Sequence, residues 1–200
     1  MPRPKLLSDD EVLDATARVV SRRGPALFTL ADVAAETGLA RSTLIQRFEN
    51  RAGLFRQLVQ RNAQRLPAQL AALPGGEGPQ ATRAFLRALV SVLRGERIHE
   101  YLLTVVEEVT DPGLAEHARS SLRAVREAIA ARLPAEMPER AAVARHLQAV
   151  MQGASMQWAI EREGELAAFV AARLETALSF LFPGEHFSSD PAPPHRGGLR

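Results

Sequence analysis

Five polar side chains between residues 41 and 47 are of types that bind nucleic acid. They are Arg41, Ser42, Thr43, Gln46 and Arg47. Hydroxyl and guanidinium groups donate hydrogen bonds to phosphate oxygens, and a glutamine amide or a guanidinium can form paired hydrogen bonds with a base edge. In a helix, Leu44 and Phe48 would lie one turn apart on a different face. The spacing therefore predicts an amphipathic helix whose polar face contacts nucleic acid.

The residues around this stretch predict a helix-turn-helix that would position it. Thr29 and Asp32 have the spacing of a capping box at the start of a first helix, and Gly38 supplies the left-handed residue of a tight turn. The second helix then runs from about Arg41 to Phe48. The apolar positions that would hold the two helices together are Val33, Ala34, Leu39, Leu44 and Phe48. Such a pair holds its second helix in the DNA major groove, although an ordinary helical hairpin with a solvated polar face fits the same pattern.

Two further helices frame this pair. Ser8 and Glu11 have the spacing of a capping box for a helix that ends at Gly24. Asn50 can cap a longer helix that continues to about Leu66. The helix-turn-helix is therefore expected to lie inside a small helical domain at the N-terminus.

Charge and loop residues divide the chain into three parts. Residues 1–66 contain eleven basic and seven acidic side chains, so the basic excess lies beside the candidate DNA contacts, as a phosphate-binding surface requires. Proline and glycine at 74–79 form the clearest loop, and we place the domain boundary near residue 67. Residues 67–183 repeat apolar side chains every three or four positions, which predicts helices. Residues 184–200 are rich in proline and glycine and are expected to be a disordered tail.

The predicted fold is all-α, with about nine helices: a three-helix DNA-binding domain followed by a helical C-terminal domain. Its last two helices are expected at about 138–162 and 165–182. One stripe of the last helix comprises Leu166, Val170, Leu174, Leu178 and Leu181, and Phe169, Ala177 and Phe180 widen it. An apolar band wider than one core needs indicates a second partner, although a deeply buried helix of a monomer has the same pattern.

The composition excludes several classes of protein. Cysteine is absent, so disulfides, thiolate metal sites and thiol nucleophiles are excluded. The histidines are His99, His117, His146, His186 and His195. They have no metal-ligand spacing, and no nucleophile stands beside a base, so we expect no metal, no cofactor and no enzymatic activity. The absence of an apolar signal sequence and of a long apolar run predicts a cytoplasmic protein without a membrane span.

In the order of its residues, the N-terminal region resembles the DNA-binding domain of the TetR family of bacterial transcriptional regulators. The resemblance covers about residues 8–60 and rests on the combination of motif residues. They are Gly24, Thr29, Val33, Ala34, Gly38, Leu39, Thr43, Leu44, Phe48 and Leu54. It implies a helical regulatory C-terminal domain that pairs with a second subunit through its last two helices and holds a small-molecule pocket.

The resemblance also implies roles for particular residues. DNA contacts are implied at Thr29, Arg41, Ser42, Thr43, Gln46, Arg47 and Arg51. Thr29 and Arg51 would contact backbone phosphates at helix N-termini. Gln46 is the candidate base reader, because its amide can pair with adenine.

Three residues depart from the family pattern. Ala40 stands where a serine often caps the second helix of the pair, and losing a cap costs about 1 kcal/mol. Ile45 stands where the family usually has a phosphate-contacting tyrosine. Gly53 replaces an acidic residue that completes the next capping box. Each departure is expected to weaken DNA binding or to leave the reading helix more mobile.

The implied pocket has its own candidate residues. They are Tyr101, Val105, His117, Met151, Gln152, Ser155 and Trp158. Methionine and tryptophan at helical spacing are more often core residues, so the set is a hypothesis. The low charge between residues 98 and 106 favours a hydrophobic or aromatic effector.

We therefore expect a homodimeric repressor that binds a palindromic DNA operator and is released by a small, hydrophobic ligand. An activator or a ligand-independent regulator fits the same residues. A helical ligand-binding or interaction module whose reading head has decayed is the alternative from another class, and an all-α enzyme fits least.

Overall fold

The computed structural model describes residues 7–93, 95, 98–185 and 187, except for the side chain of Glu100. These residues form nine α-helices and no strand, which confirms the predicted all-α class. The helices are α1 (Asp9–Arg23), α2 (Leu30–Thr37), α3 (Arg41–Phe48), α4 (Arg51–Ala71), α5 (Pro79–Val90), α6 (Ile98–Thr110), α7 (Pro112–Ala130), α8 (Arg140–Glu161) and α9 (Leu166–Leu181).

The N-terminal helices begin at the capping residues that the sequence predicts. Ser8 caps α1 and Thr29 caps α2, each in a full capping box. Gly38 ends α2 in the left-handed region with φ +72°. Val33 and Leu44 are fully buried in a core that α1 and α4 complete. This core sets the angle at which α3 faces outward.

The fourth helix is longer than predicted. The expected end near Leu66 is wrong, because α4 continues past Pro67 to Ala71. Leu70 is the cause: it is buried in the core of the C-terminal half. The helix therefore carries the N-terminal core and the C-terminal core on one rigid element, and it crosses the domain boundary that we predict near residue 67.

A second core forms the C-terminal half. It is built around Phe85, Leu147, Val170 and Leu174, which α5, α8 and α9 bury almost completely. The predicted last two helices are present as α8 and α9, and they pack closely against each other. Most of the predicted tail, including His186 and His195, lies outside the described residues.

The two halves meet where α4 packs against α7. Leu114 of α7 is buried in the N-terminal core. At the start of α7, Arg56 donates a 3.0 Å hydrogen bond to the carboxylate of Asp111. The backbone N–H of Gly113 and the side chain of Arg56 both hydrogen-bond this carboxylate and hold the pKa of Asp111 below its ordinary value. The contact ties the N-terminal half of the protein to the helices of the C-terminal half.

Candidate nucleic-acid interface and cavity

The outward face of α3 carries the polar residues that the sequence singles out. Arg41, Ser42 and Gln46 are exposed, and Thr43 is half-buried. Leu44 and Phe48 lie on the opposite side in the N-terminal core. The helix therefore presents two hydroxyls, one amide and one guanidinium to solvent, which are groups that hydrogen-bond phosphates and base edges.

Arg47 is directed elsewhere. Its Nε donates a 2.8 Å hydrogen bond to the carboxylate of Asp9, and its Nη1 donates one of 2.8 Å to the carbonyl of Leu7. The guanidinium also lies over the ring of Phe48, 5.5 Å from its centroid. In this conformation Arg47 fastens α3 to the start of α1, and the implied groove contact stays a prediction.

Arg51 is held in a similar way. Its Nε donates a 3.0 Å hydrogen bond to the carbonyl of Phe28, and its Nη2 donates to the carbonyl of Pro25. The guanidinium stacks 4.5 Å from the centroid of the Phe28 ring. In this conformation Arg51 clamps α4 to the loop before α2, and the implied phosphate contact stays a prediction.

Thr29 acts first as a cap. Its hydroxyl donates a 2.8 Å hydrogen bond to Asp32 and accepts one from the Asp32 backbone N–H. The hydrogen bond from Thr29 is the main cause of the lowered pKa of Asp32, and Arg23 adds to it. The negative charge held beside the Thr29 hydroxyl disfavours a phosphate there.

Arg41 differs from every other described arginine in residues 7–66. The others form ion pairs or hydrogen bonds within the protein; they are Arg18, Arg22, Arg23, Arg47, Arg51, Arg56, Arg61 and Arg65. Within this described part of the chain, Arg41 alone has no such partner, and it lies at the first turn of α3. Its charge is therefore free to meet a phosphate or a guanine.

The turns around α3 contain two of the three residues that depart from the family pattern, Ala40 and Gly53. Ala40 occupies the N-cap of α3 and provides no side-chain hydrogen bond, so this helix lacks the cap that α1, α2 and α4 possess. Gly53 is required by space: a Cβ there would overlap the carbonyl oxygen of Phe48. Asn50 still caps α4 through the backbone N–H of Gly53 at 2.9 Å.

A cavity of about 400 Å³ lies between the two halves of the protein. Four of the predicted ligand residues line it: Tyr101, Met151, Gln152 and Ser155. Val105 and His117 do not line it. Trp158 borders a neighbouring hollow instead, where its Nε1 donates to the carbonyls of Glu163 and Gly164 at 3.2 Å.

The sequence did not indicate that the N-terminal domain forms part of this cavity. Its wall includes Ala17, Val20 and Ser21 of α1 and Leu58 and Asn62 of α4. The only signal was the small pair Ala17 and Ser21, one turn apart on α1, which leaves space beside the helix. A ligand in the cavity would touch both halves at once.

The polar groups of the cavity are hydroxyls and amides. Tyr101 hydrogen-bonds the side chain of Gln152 and so links α6 to α8. Partial burial raises the pKa of Tyr101, and the charge of Glu108 raises it further. No residue that lines the cavity within the described chain is charged. The wall therefore fits a mainly apolar molecule with a few hydrogen-bonding groups.

Other sites are not evident in the described part of the chain. No group of three histidine or carboxylate side chains there could hold a metal ion. Among the described helices, none is long and apolar enough to cross a bilayer.

Comparison with known proteins agrees with this geometry. Residues 12–58 match the family model of the bacterial regulatory proteins of the tetR family. None of the curated protein sequences is significantly similar to this chain.

Several solved structures share the fold. A transcriptional regulator from Rhodococcus sp. Rha1 has a TM-score of 0.71 at 20% identity, covering 89% of this chain and 97% of its own. A regulator from Mesorhizobium loti assigned to the TetR family has a TM-score of 0.66 at 15% identity, covering 86% and 95%. The regulator FadR from Bacillus subtilis, solved with stearoyl-CoA, has a TM-score of 0.57 at 12% identity, covering 86% and 98%. Residues 12–58 of this chain therefore resemble the bacterial regulatory proteins of the tetR family, and the chain as a whole shares the fold of these solved regulators.

Proposed function

We propose that the protein is a transcriptional repressor that binds a palindromic operator as a homodimer and leaves it when a small hydrophobic ligand binds. The outward face of α3 carries this proposal, because it combines the one unpaired arginine of the described N-terminal domain with three further hydrogen-bonding side chains. We assign DNA contact to Arg41, Ser42, Thr43 and Gln46. Thr29, Arg47 and Arg51 become positioning residues that hold α2, α3 and α4 in register.

Gln46 is the proposed base reader. In Gln46→Ala we expect operator affinity to fall by about 2 kcal/mol, or roughly thirtyfold, for each half-site, because two hydrogen bonds to one adenine are lost there. We also expect the preference for adenine at one position of each half-site to disappear. Fluorescence anisotropy against duplexes that vary at each position measures both effects.

Gln64→Ala is the matched control, since Gln64 is also exposed but lies on α4 and not on α3. It should bind like the wild type. If Gln46→Ala kept the full preference among operator variants, Gln46 would not be the base reader.

The last two helices support the proposed homodimer. Ile160 of α8 and Phe180 of α9 expose 79% and 81% of their surfaces, and Met156 is also exposed. Large apolar side chains on the surface of paired helices are typical of a subunit interface. Two subunits joined there present two α3 helices, which fits an operator with two half-sites about one DNA turn apart.

The cavity supports the proposed release by a ligand. Its walls come from α1 and α4 on one side and from α6, α8 and α9 on the other. The first turn of α1 also holds Arg47, so a displacement of α1 reaches α3 directly. A ligand that prefers a different spacing of these helices would shift the equilibrium away from the DNA-binding state. The similar Bacillus subtilis regulator, which was solved with stearoyl-CoA, supports a lipophilic occupant.

Blocking the cavity should weaken ligand binding and spare DNA binding. Ser155 is buried and lines the cavity. In Ser155→Leu we expect a lipophilic anilinonaphthalene dye to bind at least about tenfold more weakly, because an overpacked site costs roughly 1–3 kcal/mol. Energy transfer from Trp158, the single tryptophan of the chain, to the dye reports binding.

Ser120→Leu makes the same change at an exposed site on α7 and should leave dye binding unaltered. Equal dye affinity in the wild type and Ser155→Leu would place the ligand site elsewhere. Operator affinity in Ser155→Leu checks that the fold of the reading domain is intact.

Because α3 has no side-chain hydrogen bond at its N-cap, a second candidate function is a ligand-binding module whose N-terminal domain has lost DNA binding. A gel-shift with the DNA upstream of the protein's own gene separates the two functions. Palindrome-specific and salt-sensitive binding supports the regulator. An activator or a ligand-independent regulator would bind the same DNA but would not be released by ligand.

A further inference from the structure

Ile45 is an apolar side chain on the outward face of α3. It exposes 43% of its surface, whereas its neighbour Leu44 is fully buried. The helical spacing places Ile45 one turn from Arg41 and Ser42, both of which are exposed. Ile45 is therefore part of the proposed reading face and contributes little to the core.

A hydrocarbon side chain at this position cannot bind a phosphate oxygen or a polar base edge. In the major groove, the C5-methyl group of thymine is the apolar group that a side chain can contact. Isoleucine is branched at Cβ and has one strongly preferred χ1 rotamer in a helix, so its position is well defined before binding. Ile45 thus has both the chemistry and the stiffness for reading a methyl group.

We propose that Ile45 is a specificity-determining residue that packs against the methyl group of one thymine in each operator half-site. This inference rests on the proposed function, because it requires α3 to enter the major groove. It assigns apolar contact to the same face on which Arg41 and Gln46 supply hydrogen bonds.

The test removes the methyl group from the DNA and the side chain from the protein. The full chain is first used to select binding sequences from random duplex DNA. Each thymine of the selected operator is then replaced by uracil, which lacks only the C5-methyl group. In the wild type, a single uracil at the contacted position of one half-site should weaken binding about fourfold, the effect of losing one buried methyl contact. In Ile45→Ala, the same uracil should have no effect.

Ile45→Val keeps a branched apolar side chain and should retain most of the uracil effect. Val109→Ala shortens a side chain that is 78% exposed on α6 and should behave like the wild type throughout. Thermal unfolding monitored by circular dichroism checks that all variants fold.

The outcomes separate this inference from the function on which it rests. If selection yields no preferred sequence, the proposed function fails and the inference fails with it. If selection yields an operator but uracil is neutral at every position, the inference alone is overturned. A uracil effect of the same size in the wild type and Ile45→Ala also overturns it, because two groups in contact must show coupled effects.

Discussion

Replacing Phe180 with glutamate should convert the proposed dimer into monomers and abolish tight operator binding. Phe180 is 81% exposed near the end of α9, so its ring is available to a partner and contributes little to its own subunit. A carboxylate at this position would have to be desolvated in an apolar interface, which is strongly unfavourable without a partner. Loss of the second reading head removes the gain from two linked sites, so we expect operator affinity to fall by about a hundredfold.

Sedimentation velocity and anisotropy measure these two effects on the same samples. Val109→Glu is the matched control, because Val109 is 78% exposed but lies on α6, away from the last two helices. It should remain dimeric and bind normally. A duplex with one half-site should be bound equally weakly by Phe180→Glu and by the control. If Phe180→Glu stayed dimeric, the subunits would not meet on this part of α9.

Replacing Gly53 with alanine should be the most destabilising small change in the reading domain. A Cβ at Gly53 would overlap the carbonyl oxygen of Phe48. That carbonyl cannot easily move, because Phe48 is 1% exposed and its oxygen accepts a 2.7 Å hydrogen bond from the backbone of Asn50. Glu49 between them already has φ +66°. We expect the free energy of unfolding to fall by about 2–3 kcal/mol, the upper part of the roughly 1–3 kcal/mol that overpacking usually costs, because the overlap is with backbone.

Urea unfolding of the full chain measures this change. Gly75→Ala is the control: Gly75 lies in an open loop, where an added methyl group would meet no other atom within 4 Å, and it does not have a positive φ. It should be neutral or slightly stabilising, because alanine restricts the unfolded chain. A Gly53→Ala protein as stable as the wild type would show that the turn between α3 and α4 adapts at little cost. In that case Gly53 would not be required by space, and its only consequence would be the loss of the acidic residue that completes a capping box at the start of α4.

The N-terminal helices could be predicted closely because their ends are set locally. Ser8, Thr29, Gly38 and Asn50 act within three or four residues of their own positions, so their spacing alone defines the helix ends. The end of α4 could not be predicted in this way. It depends on Leu70 packing into a core whose other members follow much later in the chain.

The candidate site shows the same division between local and distant causes. The outward positions of Arg41, Ser42 and Gln46 follow from the helical period of α3. The hydrogen bonds of Arg47 do not follow from the helical period, because their acceptors, Leu7 and Asp9, lie about forty residues away in the sequence. The sequence shows that position 47 carries a guanidinium group, but it does not show which groups accept its hydrogen bonds.

The cavity shows how tertiary packing selects among candidates. Tyr101 and Ser155 share its wall because α6 and α8 converge, whereas helical spacing alone could not exclude Val105 or His117. The contribution of α1 was missing from the prediction because nothing local to α1 indicates what packs against it.

Direct measurement of operator binding by the full chain tests the central claim that this protein is a sequence-specific dimeric DNA-binding regulator. Duplexes selected from random DNA, scrambled duplexes of the same composition, and single half-sites would be titrated at several salt concentrations, with the stoichiometry determined by sedimentation. We expect two chains on each palindromic duplex, at least about a thousandfold preference over scrambled DNA and an affinity that falls steeply with salt. Binding that does not discriminate between selected and scrambled duplexes at any salt concentration would contradict this claim.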